Sequence, residues 1–146
     1  MKIRKARYED AREMVSFHRN TIKKINSKDY PKKIIDAWTK NLKTSRRRKQ
    51  LLDKNRIYFV ATIEEKIVGF ILIDKKEKII RALYTHHKFQ RQGIGKKLLK
   101  KGEEQLRKLG VKKSLMHCSI TAIPFYTSQK YKKLKWSYTK IGKKKN

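Results

Sequence analysis

Three β-rich runs separated by polar turns lead into a glycine-bearing loop and a long amphipathic helix. This succession constrains the fold more than any other feature. Ile57 to Ile63 is rich in β-branched and aromatic residues, Glu64-Glu65-Lys66 is a polar turn, and Ile67 to Ile73 is the return run. Together they predict a hairpin. Asp74 to Lys78 is a second polar turn, and Ile79 to Thr85 predicts a further strand. Beyond the loop, Ile94, Leu98, Leu99, Leu106 and Leu109 recur at helix spacing, and Gly110 suits the position after the helix end. The expected class is α/β (α+β), with a central mixed, mostly antiparallel sheet flanked by helices.

The flanks extend this pattern. Residues 2 to 6 predict a short opening strand, and Tyr8-Glu9-Asp10 leads into a helix bearing Met14, Val15, His18, Ile22 and Ile25. Acids in its first turn and Lys23-Lys24 near its end complement the helix dipole. Asn26 to Asp29 breaks it, and Pro31 opens a second helix with Ile34, Ile35 and Trp38. Ser45 to Asp53 predicts a short third helix, in which Arg46-Arg47-Arg48-Lys49 reads as an exposed face. Downstream, Val111 to Cys118 predicts a strand, Pro124 to Gln129 a short helix and Trp136 to Ile141 a closing strand. A length of 146 residues suits one domain over 1–146, with 142–146 as a frayed basic tail.

Charge narrows the ligands. Lys plus Arg number 42 against 12 Asp plus Glu, a formal net charge of +30. From Lys78 onward the only acids are Glu103 and Glu104. Such a field disfavours polyamines and favours phosphates, nucleotides, nucleic acid or acidic surfaces. One cysteine, Cys118, excludes an internal disulfide framework and fits a reducing compartment. It reads as a small buried residue. With no signal-peptide pattern and no apolar run of membrane length, the expectation is a soluble cytoplasmic protein without a membrane partner.

The chemistry begins at Gln90-Arg91-Gln92-Gly93-Ile94-Gly95-Lys96-Lys97, which follows an apolar strand and opens a helix. Glycines there let the backbone approach an anion, and the first free amides of the helix point at it. Arg91, Lys96 and Lys97 add charge. The segment is not a Walker A loop, and Leu98 stands where a dinucleotide fingerprint needs a third glycine. On spacing alone, a phosphate cradle and a plain strand-to-helix turn weigh equally.

A second constellation, Ser119-Ile120-Thr121-Ala122-Ile123-Pro124-Phe125-Tyr126, lies about thirty residues on. The two together resemble the GNAT superfamily of N-acetyltransferases. Gln90, Gly93 and Gly95 match the fixed positions of its coenzyme motif Gln/Arg-x-x-Gly-x-Gly/Ala, and Ala122, Phe125 and Tyr126 match its later Asn-x-x-Ala-x-x-Phe-Tyr. Ser119 stands where that signature has Asn, and Lys130 where the family has a helix-ending Gly. The element order is similar from Ile3 to about Tyr138.

The resemblance implies direct transfer of an acetyl group from acetyl-CoA to an amine in a ternary complex, with no metal. It puts the coenzyme's pyrophosphate on the backbone of Gln92 to Lys97, with Gln90 and Arg91 beside it, and its pantetheine arm along Leu83-Tyr84-Thr85. Ser119 joins this coenzyme set. A backbone N–H at Leu83 or Thr85 becomes the oxyanion donor. Tyr126 becomes the acid that protonates the departing thiolate, in competition with a plain packing role. For the base, His117 is the catalytic candidate, with His86, His87 or a water chain as alternatives. Trp38, Tyr30, His18, Tyr131 and Trp136 are candidates for an acceptor cleft. The family also suggests a homodimer. A second reading is a basic nucleic-acid- or ribosome-associated protein, which either acetylates an RNA-borne amine or only binds through nonspecific contacts.

Overall fold

The structure, a computed structural model, describes residues 1–89 and 92–132. The expected strand Trp136 to Ile141, the tail 142–146, and Gln90 and Arg91 of the glycine loop lie outside the described residues.

Strands β1 (Lys2–Lys5), β2 (Arg56–Ile63), β3 (Lys66–Asp74) and β4 (Ile79–Thr85) form an antiparallel sheet in the order β1-β2-β3-β4. Glu64 and Glu65 close the β2–β3 hairpin with φ of 50° and 65°. Two successive positive φ values give a turn whose twist matches that of the strands it joins. Helices α1 (Ala11–Lys24), α2 (Lys32–Lys40) and α3 (Thr44–Leu52) separate β1 from β2, α4 (Ile94–Lys108) follows β4, and α5 (Ile123–Ser128) follows that. Pro31 sits just before α2 in extended backbone, φ −62° and ψ 154°, as a residue with a locked φ and no N–H to donate can.

Side-chain alternation splits the core into two layers. Phe59, Ala61, Ile71, Ile73 and Ile80 cluster with Ile94, Leu98, Leu99 and Leu106 of α4. Tyr58, Val60, Phe70 and Leu72 cluster with Met14 and Phe17 of α1. The sheet is thus covered by α4 on one face and by α1 and α3 on the other.

Two expectations about the elements flanking the sheet need correction. Val111 to Cys118 is not a strand. Among the described residues its backbone pairs with the sheet only where Met116 makes a parallel bridge to Ile80, with Ile80 N–H bonded to Leu115 O (2.9 Å) and His117 N–H to Ile80 O (3.0 Å). Lys112-Lys113-Ser114 offers no apolar side chain to bury, so nothing drives longer pairing. Arg46 to Lys49 is not uniformly exposed either. Arg46, Arg48 and Lys49 are, but Arg47 is 5% exposed and turns inward.

Candidate active site

The joint between β4 and α4 is built around two glycines with different tasks. Gly93 occupies the N-cap with φ 80° and ψ 2°, left-handed backbone, and a Cβ there would meet nothing within 4 Å. Gly95 is tight: a Cβ would lie 3.3 Å from Phe125 Cζ and 3.6 Å from Thr85 Cγ2. The sequence left open whether Gly95 served a turn or a cradle, and close packing is one of its tasks. It brings the end of β4, the start of α4 and the side of α5 into contact.

The first helical bond runs from Lys97 N–H to Gly93 O at 3.1 Å. The amides of Ile94, Gly95 and Lys96 therefore have no acceptor within the helix. Ile94 is buried, with its side chain in the core, and Gly95 is half-buried, while Gln92, Lys96 and Lys97 are exposed. Two cations and a helix N-terminus together favour an anion.

β4 is the outer strand of the described sheet beyond the Met116 bridge. His86 N–H bonds Val68 O at 2.7 Å. By the alternation of an antiparallel ladder, Tyr84 also turns its backbone toward β3, and Leu83 and Thr85 turn theirs to the outer edge. The Tyr84 ring passes to the α1 face, 4.2 Å from the His18 ring and 5.6 Å from Phe70. Burial raises its phenol pKa above the ordinary value.

Tyr126 is 4% exposed and packs edge-on against Phe125 (5.1 Å) and Tyr131 (5.7 Å). Burial, with smaller contributions from Cys118, Tyr84 and Tyr131, holds its phenol well above the ordinary tyrosine range, so it keeps its proton. Lys130, in place of the expected glycine, adopts φ 73°. Lys130 N–H bonds Thr127 O at 3.1 Å and Tyr131 N–H bonds Tyr126 O at 3.0 Å. The lysine thus ends α5 as a glycine would. Tyr131 then donates to Glu103 Oε2 of α4 at 2.7 Å.

Ser119 accepts from Asn26 Nδ2 at 3.2 Å, and Ile120 N–H donates to the Tyr30 hydroxyl at 2.8 Å. The Tyr30 ring meets Trp38 edge-on at 5.4 Å. Sequence reasoning missed Asn26, a buried side chain that brings an amide to the serine standing where the motif has Asn. No local signal links residues so far apart in the chain. Cys118 is exposed, contrary to the buried role expected for it, because the segment carrying it leaves the sheet. His117 is also exposed, its N–H tied to Ile80. His86 and His87 stack at 4.5 Å, and burial, then the charges of His87 and Lys88, lower the His86 pKa.

His18 and Arg47 were the least expected pair. His18 is 7% exposed and accepts from Arg47 Nη2 through Nδ1 at 2.9 Å. Arg47 also lies 5.2 Å from the Phe70 ring centroid. Among the described residues, His18 Nε2 and Arg47 Nη1 have no hydrogen-bond partner, no group of three or more acids, histidines or cysteines could hold a metal ion, and no helix is long and apolar enough to cross a membrane.

The fold and the glycine-opened helix define an acetyltransferase framework. The family model for the acetyltransferase (GNAT) domain matches residues 26–142, and the chain belongs to that family. No curated protein matches it significantly in sequence. Among solved structures it is similar to a GCN5-related N-acetyltransferase from Rhodopseudomonas palustris, at 20% identity and TM-score 0.80, covering 88% of this chain and 79% of that one. It is similar to the PaiA N-acetyltransferase of Thermoplasma acidophilum in complex with coenzyme A, at 19% identity and TM-score 0.77, covering 88% and 86%. An aminoglycoside acetyltransferase from an uncultured soil metagenomic sample resembles it at 23% identity and TM-score 0.65, covering 94% and 95%. At these identities the likeness is one of fold.

Proposed function

We propose that the protein is a cytoplasmic N-acetyltransferase that moves the acetyl group of acetyl-CoA directly to an amine. The observation that carries this reading is the helix start at Gly93, where the first helical bond, from Lys97 N–H to Gly93 O, leaves the amides of Ile94 to Lys96 without a helical acceptor beside the exposed Lys96 and Lys97. Gln90 and Arg91 belong to the same loop by sequence. As the family resemblance implies, the extended arm of the coenzyme lies along Leu83-Tyr84-Thr85, and a backbone N–H at Leu83 or Thr85 donates to the acetyl oxygen as negative charge develops on it.

In the step itself the amine nitrogen bonds to the thioester carbon, the carbon–sulfur bond breaks, the amine loses a proton and the departing thiolate gains one. The family resemblance gives that last proton to Tyr126, whose burial keeps the phenol protonated before transfer. The amine proton leaves through His117, whose ring is exposed, or through water. Ser119 and Tyr30, tied to Asn26 and Ile120, hold the start of the segment bearing Tyr126.

The test is titration calorimetry of acetyl-CoA at physiological salt, followed by a CoA-release assay over a panel of amines, peptides and tRNA. Binding to wild type that is lost in Gly93→Glu supports the reading. A wild-type protein that fails to bind acetyl-CoA refutes it.

A further inference from the structure

We propose that the outer face of α3, together with Tyr8, is a docking surface for single-stranded nucleic acid. This surface lies on the α1 side of the sheet, away from the cradle at the start of α4, and does not depend on the acetyltransferase reading.

Helix α3 is built against its own dipole. Lys43 stands at its N-cap without a side-chain cap bond, Arg46 lies in the first turn, and no acid lies there. The same end of α1 carries Glu13. Cations near a helix N-terminus are unfavourable. No Asp or Glu occurs between Asp36 and Asp53, so the helix contains no internal ion pair. The ion pairs of the described residues join Arg4 to Asp10, Lys32 to Asp36, Arg56 to Asp53 and Arg81 to Asp74, and none reaches α3. Glu9, beside Tyr8 and exposed, is the nearby carboxylate outside those pairs. Arg47 adds a buried positive charge beneath the helix, bonded to neutral His18 and to Gln50 rather than to a carboxylate. The exposed charges of Arg46, Arg48 and Lys49 are the ones left for a bound anion to neutralise.

The surface also carries exposed apolar groups, one of them a flat ring. Tyr8 is 46% exposed, with the Arg48 guanidinium 5.8 Å from its ring centroid, and Leu52 on the same helix is 68% exposed. An acidic peptide would use the cations and leave these groups in water. A nucleic acid strand uses both, its phosphates on Arg46, Arg48 and Lys49 and its bases on the ring and guanidinium.

The experiment is fluorescence anisotropy with a labelled 20-nucleotide single-stranded RNA, titrated between 50 and 200 mM salt. Proteins compared are wild type, Arg46→Glu/Arg48→Glu, Tyr8→Ala, and Lys100→Glu/Arg107→Glu on the exposed face of α4 as a control of equal charge change. Polyglutamate serves as competitor. The α3 variant is expected to bind at least tenfold more weakly and with a salt slope smaller by more than about 1. Tyr8→Ala is expected to lose at least threefold, and the α4 control less than threefold. Equal losses in the two double variants would mean general charge attraction and overturn the proposal. So would polyglutamate competing as well as unlabelled RNA while Tyr8→Ala binds normally, which is the outcome for an acidic protein partner. Each variant is checked for its melting temperature and for acetyl-CoA binding. Retained coenzyme binding in the α3 variant separates this outcome from any failure of the enzymatic reading.

Discussion

Lys130→Gly should stabilise the protein. Lys130 ends α5 with φ 73°, and the two backbone bonds that close the helix require that conformation. A left-handed non-glycine residue costs about 1–2 kcal/mol. Glycine removes that cost but loses about 0.4–1 kcal/mol to greater freedom in the unfolded chain. The net expectation is a gain of about 0.5–1 kcal/mol, or a rise of roughly 2–3 °C in Tm for a chain of this size. Gly110, which ends α4 with φ 85° and open space around a Cβ, supplies the mirror test. Gly110→Ala should cost about 0.5–1 kcal/mol, the same backbone strain less the same gain from a stiffer unfolded chain. Thermal melts by circular dichroism and urea titrations at 25 °C measure both. Lys130→Ala separates backbone from charge, since it keeps the strain and loses the cation. A gain in Lys130→Ala equal to that in Lys130→Gly would assign the effect to charge repulsion. An unchanged or lowered Tm in Lys130→Gly would refute the strained helix ending.

Tyr126→Phe should keep its ring packing against Phe125 and Tyr131 and lower the rate of CoA release at saturating substrate by about 100-fold. An unchanged rate removes Tyr126 from the acid role. Gly93→Glu should weaken acetyl-CoA binding at least tenfold, measured by calorimetry, while Gly93→Ala, which adds backbone strain of about 1–2 kcal/mol but no charge, should keep more of the affinity. If both bind like wild type, the cradle lies elsewhere. His18 should make stability depend on pH. Burial, then the charges of Arg47 and Arg19, hold it well below the ordinary value of 6.5, so the folded protein refuses a proton that the unfolded chain accepts. Its contribution is fully present above 6.5 and is lost as pH falls below that value. The slope is at most about 1.4 kcal/mol per pH unit. Urea titrations between pH 7.5 and 5 should show a shallower slope in His18→Phe, and equal slopes would exclude His18 as the source.

The hairpin of β2 and β3, the strand β4, and the glycine-opened helix after it were legible in the chain before any fold was known. Their signals are local: alternation, turn composition and helix periodicity act within one element. The sequence also pointed to Gly93, Gly95, Phe125 and Tyr126 as one group, and the structure packs Gly95 against Phe125 and Phe125 against Tyr126. Tertiary structure alone decided the rest. Whether Arg47 faced water or the core depended on α3 settling over Phe70 and His18. Whether Ser119 had a partner depended on Asn26 arriving from the other end of the domain. Whether Val111 to Cys118 became a strand depended on how far β4 could hold it, and it held one bridge at Met116. Burial and long-range pairing belong to elements meeting in space, and no short stretch of chain encodes which surface another stretch will cover.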